Sequence, residues 1–227
     1  MQRELFPSTP NKGEQARRKL LLAALKKFGD KGYDNASVRE IADEAGQNVA
    51  AIAYYFGNKE KLYAAVLQGI AAHIGGLFRG IADDAEERQA AGTLGPAAAA
   101  EVIKRMLRTL LGEQFGGEFE KIRNVMMREQ SSPSDSFGLL YKDMLKPTHE
   151  LLTRMVGTAI GEDPASPVTI LRAHALIGQV LAFAMARETI LRRLGIKKLG
   201  AEHAAMIGDI LDEHIEAVCL GLNPATR

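Results

Sequence analysis

The chain has 227 residues, 46% of them hydrophobic, which is enough to build one large domain or two small ones around a substantial core. Its formal net charge is +1, so the protein as a whole is not a basic nucleic-acid glue, and any DNA-binding charge has to be local. The single cysteine, Cys219, excludes an intramolecular disulfide framework and fits a reducing cytoplasm, and the opening MQRELFPSTPNKGEQ has no apolar stretch of the secretory kind.

The periodicity is helical nearly everywhere. Residues 1–12 are expected to lack fixed structure. From about Gly13 to Lys31, Leu21, Ala24, Leu25 and Phe28 recur at three- and four-residue steps, and Arg17, Arg18, Lys19, Lys26 and Lys27 take the other face. Gly32 is expected to stop this helix in the left-handed region. Ser37 begins a short second helix as N-cap, with Glu40 completing a capping box and Val38, Ile41, Ala42 and Ala45 turning inward. Gly46 breaks it. Asn48 can cap a third short helix containing Ile52, Tyr55 and Phe56, and Gly57-Asn58 ends that one. A long fourth helix follows from about Asn58. Its weakly polar run from Ala64 to Phe78 is interrupted by Gln68 and His73, which leaves it short of a bilayer span. Beyond about residue 82, Gly and Pro clusters separate longer helices over roughly 96–115, 118–130, 135–160, 167–194 and 200–221. Alternating strand patterns are missing, so the expected fold is all-α with about nine helices.

Residues 37–56, SVREIADEAGQNVAAIAYYF, have the dimensions of a helix-turn-helix. Two such helices must cross closely, which suits Ala42 and Ala45, and the turn needs the positive φ that Gly46 supplies. The second helix must present its N-terminal residues to base edges in the major groove. Any two short amphipathic helices joined by glycine share this bare pattern. Charge favours the DNA reading: residues 1–62 carry 11 Lys/Arg against 8 Asp/Glu, and the remainder carries 18 against 20.

The stretch SVREIADEAGQNVAAIAYYFGNKEKLY resembles the DNA-binding signature of the TetR family of bacterial regulators, over about Gly13 to Leu67. Lys12-Gly13-Glu14-Gln15-Ala16, Gly46-Gln47-Asn48, Arg128-Glu129-Gln130 with Pro133, His174-Ala175-Leu176-Ile177-Gly178 and Glu188-Thr189-Ile190-Leu191 extend the likeness to the CecR-like subgroup. The resemblance implies a head over 1–57 that binds DNA and a body over 58–227 that binds a ligand and dimerises. It implies DNA contacts from Ser37, Arg39, Gln47, Asn48, Val49, Ala50, Ala53, Tyr54, Tyr55 and Lys59. Arg39 would meet phosphate or guanine, Gln47 and Asn48 offer amides to base edges, and Val49 and the alanines touch thymine methyls or allow close approach. Tyr54 and Lys59 would meet phosphate, and Tyr55 either meets phosphate or is partly buried. Gln47 stands where many relatives have an apolar residue; it either turns to the DNA or is an amide buried against the turn. The recognition face has no Lys or Arg, so part of the specificity is expected from DNA shape.

For the body the resemblance implies a ligand cavity and a dimer formed by the last two helices. Ile170, His174, Ile177, Leu181 and Ala184, and Met206, Ile207, Ile210, Leu211, His214 and Val218, repeat at helical spacing and support the second point. The expected interface residues are His174, Ile177, Leu181, Ile207, Ile210, Leu211, His214 and Val218. Met106, Leu110, Met127, Met155 and Phe183 are candidates for an adaptable cavity or for ordinary core, with Gln179 and Gln130 as polar candidates. Arg128 either pairs an acidic ligand group or closes a helix end. Gly75-Gly76 inside the fourth helix suggests close packing or a joint for ligand-driven motion. The five histidines include no i, i+4 pair, and no phosphate loop or nucleophile elbow is present, so no cofactor, metal or enzymatic activity is expected. The expected function is a cytoplasmic, nucleoid-associated repressor: a homodimer on a palindromic operator, released by an unidentified small molecule, with no membrane partner. The alternative is a helical adaptor that binds protein.

Overall fold

Asn11 opens the first helix, its Oδ1 accepting from the Gly13 N–H at 2.8 Å where the first turn has no backbone acceptor. The structure, a computed structural model, describes residues 5–7, 9, 11–114 and 119–222. Helix α1 spans Lys12–Asn35 and buries Leu20, Leu21, Ala24, Leu25 and Phe28. Gly32 has the expected positive φ (+80°), yet the helix bends there instead of ending: one more turn follows, and the Ala36 N–H closes on the Gly32 carbonyl at 3.2 Å.

Helix α2 (Val38–Glu44) starts on the predicted capping box. Ser37 Oγ accepts from the Arg39 and Glu40 amides at 3.2 and 3.4 Å, and the Glu40 carboxylate accepts from the Ser37 N–H at 3.4 Å. Its far end is a Schellman turn: Gly46 sits at φ +63°, its N–H bonds the Asp43 carbonyl, and the Gln47 N–H bonds the Ala42 carbonyl. Helix α3 (Val49–Phe56) and the long α4 (Lys59–Ala90) follow, with Asn58 Oδ1 accepting from the Lys61 N–H at 2.8 Å.

By backbone contacts the chain forms two compact units, Met1–Gly76 with Gly117–Lys146, and Leu77–Gly116 with Pro147–Arg227. In the first unit α6 (Phe119–Ser131) lies along α1, and α7 (Phe137–Leu140) runs into a π turn at Tyr141–Leu145. In the second, α5 (Pro96–Gln114) packs against α9 (Pro167–Met185) and α11 (Ala201–Leu222), joined by α8 (Lys146–Ile160) and the short α10 (Arg187–Leu194). No strand occurs among the described residues, as the periodicity predicts.

Several boundaries differ from expectation. The single helix over 135–160 is interrupted because Pro147 has no N–H to return to the Asp143 carbonyl. The Lys146 N–H instead reaches back five residues to the Tyr141 carbonyl. The helix over 167–194 is divided at Ala186 (φ −99°, ψ 27°). The fourth helix runs on to Ala90, so the run from Ala64 to Phe78 lies inside a 32-residue helix. Helices α4 and α9 are long and apolar enough to cross a bilayer by length and composition alone, but Leu62, Val66, Leu67 and Ile70 of α4 are buried within the protein. Phe6, in the segment expected to lack order, is 5% exposed, and Arg18 Nε donates to its carbonyl at 2.8 Å. Residues 1–4, 8 and 10 of that segment, and the Gly116-Gly117 break with helix ends 115 and 118, lie outside the described residues.

Candidate nucleic-acid interface

The helix pair is held from behind by packing. Ile41 and Ala42 of α2, its C-cap Ala45, and Ile52 and Phe56 of α3 are buried, so the small residues at the crossing do what their size suggests. Glu44 ties the pair to α1, accepting from Lys26 at 2.5 Å and Lys27 at 2.9 Å; these two ammonium groups hold its carboxyl down to about 2. Lys31 similarly holds Glu40 at 2.7 Å. Three lysines of α1, Lys26, Lys27 and Lys31, are therefore engaged with the two α2 carboxylates.

On the outer side, Asn48 Oδ1 caps α3 by accepting from the Ala50 N–H at 2.9 Å, which leaves its NH2 as the group turned to other uses. Ser37 Oγ likewise holds the start of α2. Arg39 is exposed, and its guanidinium has no hydrogen-bond or ion-pair partner among the described residues. Val49, Ala50 and Ala53 are exposed along one edge of α3, and Tyr54 is 82% exposed. Gln47 is half-buried, between the two alternatives its position leaves open. Tyr55 is also half-buried, edge-on to Tyr54 with ring centroids 4.9 Å apart. Lys59 is turned to the protein: its Nζ donates to the Asp34 carbonyl at 3.1 Å and lies 4.6 Å from the Tyr33 ring centre.

The polar cluster at the end of α6 is organised around its middle member. Glu129 is 2% exposed and accepts from the Tyr63 hydroxyl of α4 at 2.6 Å and from the Ser134 N–H at 3.3 Å. Burial, then the Glu129 carboxylate, pushes the Tyr63 hydroxyl far above its ordinary value, so it stays a donor. Arg128 points to the end of α1, donating to the Asp30 carbonyl at 3.3 Å. Singling out Arg128 missed Glu129, yet Ile122, Val125 and Glu129 share the buried spacing of α6, and that periodicity was the available signal.

The candidate ligand residues divide between the two units. Met127, Arg128 and Gln130 are in the first, with Met127 half-buried and the other two exposed. Met106 and Met155 are buried in the second, where Leu110, Gln179 and Phe183 are half-buried. Gln179 Oε1 meets His214 Nδ1 at 2.9 Å, a bond between α9 and α11. None of these residues lines the open depression formed by Leu77, Gly80, Ile81, Arg105, Arg108 and Thr109, whose cations already hold Asp84, Asp209 and Asp212.

Of the expected interface residues, Ile207 and Leu211 are buried at 6% and 2% exposure on the side of α11 that packs α5. His174, Ile210 and His214 are exposed, and Ile177, Leu181 and Val218 are half-buried. The outward face of α9 carries Leu171, Ala175, Gly178, Ala182 and Met185, apolar throughout, with Leu171 and Met185 66% and 64% exposed. No group of three or more His, Cys, Asp or Glu that could hold a metal ion occurs among the described residues.

Known proteins share this fold. Residues 20–66 match the family model for bacterial regulatory proteins of the tetR family, and residues 99–222 match that for the C-terminal domain of the HTH-type transcriptional dual regulator CecR. The chain is 40% identical over 217 residues to the HTH-type transcriptional dual regulator CecR of Shigella flexneri, covering 96% of this chain and 97% of that one. Among solved structures, a TetR-like transcriptional regulator from Rhodococcus sp. RHA1 superposes with a TM-score of 0.57 at 21% identity, over 93% of this chain and 96% of that one. The hemolysin II transcriptional regulator HlyIIR does so with 0.55 at 23%, over 88% and 98%. A capped helix-turn-helix head with an open recognition edge, an all-helical body and these matches together place the chain in the TetR family of DNA-binding transcriptional regulators, with a CecR-type C-terminal domain.

Proposed function

We propose that the protein acts as a homodimer on a palindromic operator, represses by occupying it, and is released by a small-molecule effector. The observation that carries the DNA half is the outer edge of the helix-turn-helix: exposed Arg39, the free Asn48 amide NH2 and the apolar run Val49, Ala50 and Ala53, with Tyr54 beside them. Direct readout would come from Arg39, Gln47 and Asn48, methyl contact from Val49, Ala50 and Ala53, and positioning from Ser37, Tyr54, Tyr55 and Lys59. With no cation on α3, indirect readout of DNA shape supplies the rest. Residues 1–57 are the reading head and 58–227 the responding body, a division of labour that need not follow the packing units.

The dimer reading rests on the apolar outer face of α9, together with Met206 and Ile210 of α11, 54% and 44% exposed. A two-fold symmetric protein matches a palindromic site. For the effector, Met106, Leu110, Met155, Gln179 and Phe183 of the second unit are the proposed contacts, and Met127, Arg128 and Gln130 of the first a separate group. Repression is the simplest mode for such a protein, although the CecR relative is named a dual regulator. Gly75-Gly76 is the proposed joint in α4.

A gel shift against the DNA upstream of its own and neighbouring genes, repeated across salt concentrations, tests the reading. The expected result is one palindromic site bound with a steep salt slope, as counterions are released from the phosphates. A pure dimer that binds no such DNA at low salt would instead favour a helical adaptor that binds protein.

A further inference from the structure

Helix α10 is short, and none of its residues is buried. Eight residues do not hold a helix in water unaided, and the principal packing of α10 is along α9. Ile190 and Leu191 are half-buried, Leu194 is 55% exposed, and Met185 just before the helix is 64% exposed. Residues 187–198 carry five cations, Arg187, Arg192, Arg193, Lys197 and Lys198, against the single Glu188. Among the described residues only Arg192 has a carboxylate partner, and that is Glu188 on the adjacent turn of the same helix.

Helix α11 has the opposite character. It carries five carboxylates and no lysine or arginine. Its inner side, Ile207, Leu211, Ile215 and Cys219, is buried. Its exposed stripe runs Glu202, Met206, Asp209 and Glu213, with Ile210 beside it. Asp212 and Glu216 are bound to Arg108 and Lys104 of α5, and Asp209 is shared with Arg108. No ion pair joins α10 to α11 among the described residues.

The same unit therefore presents a basic, partly apolar helix and an acidic, partly apolar stripe that do not pair with each other within the protomer. We propose that α10 and the following Lys197-Lys198 dock on the α11 stripe of a second copy of this chain, flanking the apolar seam of α9. A two-fold arrangement makes the junction twice, since each copy gives its basic helix and receives its partner's. A polyanion would pair the cations and leave Met185, Ile190, Leu191 and Leu194 uncovered, whereas the stripe offers Met206 and Ile210 beside its carboxylates. The proposal rests on the dimer reading above and adds the element that gives the association its charge complementarity.

Sedimentation equilibrium on the full chain tests it. Two charge-reversed proteins are needed, R192E with R193E and E202K with E213K; all four positions are exposed, and helicity by circular dichroism verifies folding. Each alone should self-associate on the order of tenfold more weakly than the parent, which itself should weaken as salt rises. Mixed together, the two should form a heterodimer at about parental affinity, because both junctions then pair opposite charges. A dimeric parent whose affinity is unchanged by R192E with R193E overturns the proposal and leaves the dimer reading standing. Weakened variants that do not recombine overturn it as well, since the charges then act within one protomer. A monomeric parent overturns the dimer reading itself, and this inference with it.

Discussion

Glu129 shows what one residue contributes when its surroundings are dry. Its carboxylate is the shared acceptor of a hydroxyl on α4 and an amide beyond α6, so removing either donor leaves buried charge less well solvated. Y63F should therefore cost about 1–3 kcal/mol in denaturant unfolding while leaving Phe28 and Tyr33 in place around the ring. Arg39 is the contrasting case, an exposed guanidinium with nothing to lose in the fold. R39A should leave the melting temperature unchanged and weaken operator binding by about 1–3 kcal/mol in fluorescence anisotropy, with less discrimination at one base position. Equal loss on all sequences would make Arg39 a phosphate contact instead.

Elements in this protein are decided at their ends. The Ser37 capping box and the Gly46 Schellman turn fix the length of α2 and the angle at which α3 leaves it, so S37A should cost about 0.5–2 kcal/mol. Phe6 is held by close contact with α4: a Cβ on Gly69 would lie 2.1 Å from its ring, so G69A should displace Phe6 at a cost in stability that F6A should relieve. Between α8 and α9, His149 Nε2 lies 3.3 Å from His174 Nδ1, and burial, then the neighbouring imidazole, pushes the His149 pKa below 6.5. A histidine depressed in the fold binds its proton more readily when unfolded. The stability present above pH 6.5 is accordingly lost as pH falls below it. H149Q should flatten that decline between pH 7.5 and 5.5, to about the extent set by one titrating group.

At the scale of the whole molecule, the apolar face of α9 and the proposed joint in α4 carry the predictions. Placing a charge in the seam by L171D should give a folded monomer that loses operator affinity, because each half-site then binds alone; an unaltered dimer would move the interface elsewhere. Among the described residues the chain passes between its two packing units at Gly76–Leu77 and again at Lys146–Pro147, next to the π turn. Replacing both Gly75 and Gly76 by Ala should stiffen α4 and stabilise it by up to about 2 kcal/mol. Effector-driven release from DNA should then be blunted while DNA binding persists, and unchanged release would remove the joint.

The sequence by itself determined the helix-turn-helix and the helical body, because caps, glycine turns and core stripes are local signals written at fixed spacings. Ser37 with Glu40, Gly46, Asn48 and the stripe of α1 all act over four residues or fewer. Tertiary structure decided what those signals cannot carry: that Glu129 is buried with Tyr63 sixty-six residues away, that Lys26 and Lys27 are taken up by Glu44, and that Ile207 and Leu211 face inward while Met206 and Ile210 face out. Apolar residues recur at helical spacing on both sides of α11, with Met206 and Ile210 set among carboxylates on the outer one, so periodicity finds the helix but does not by itself say which of these residues the rest of the chain covers. That choice belongs to packing, where long-range contacts select one stripe for the core and leave the other exposed.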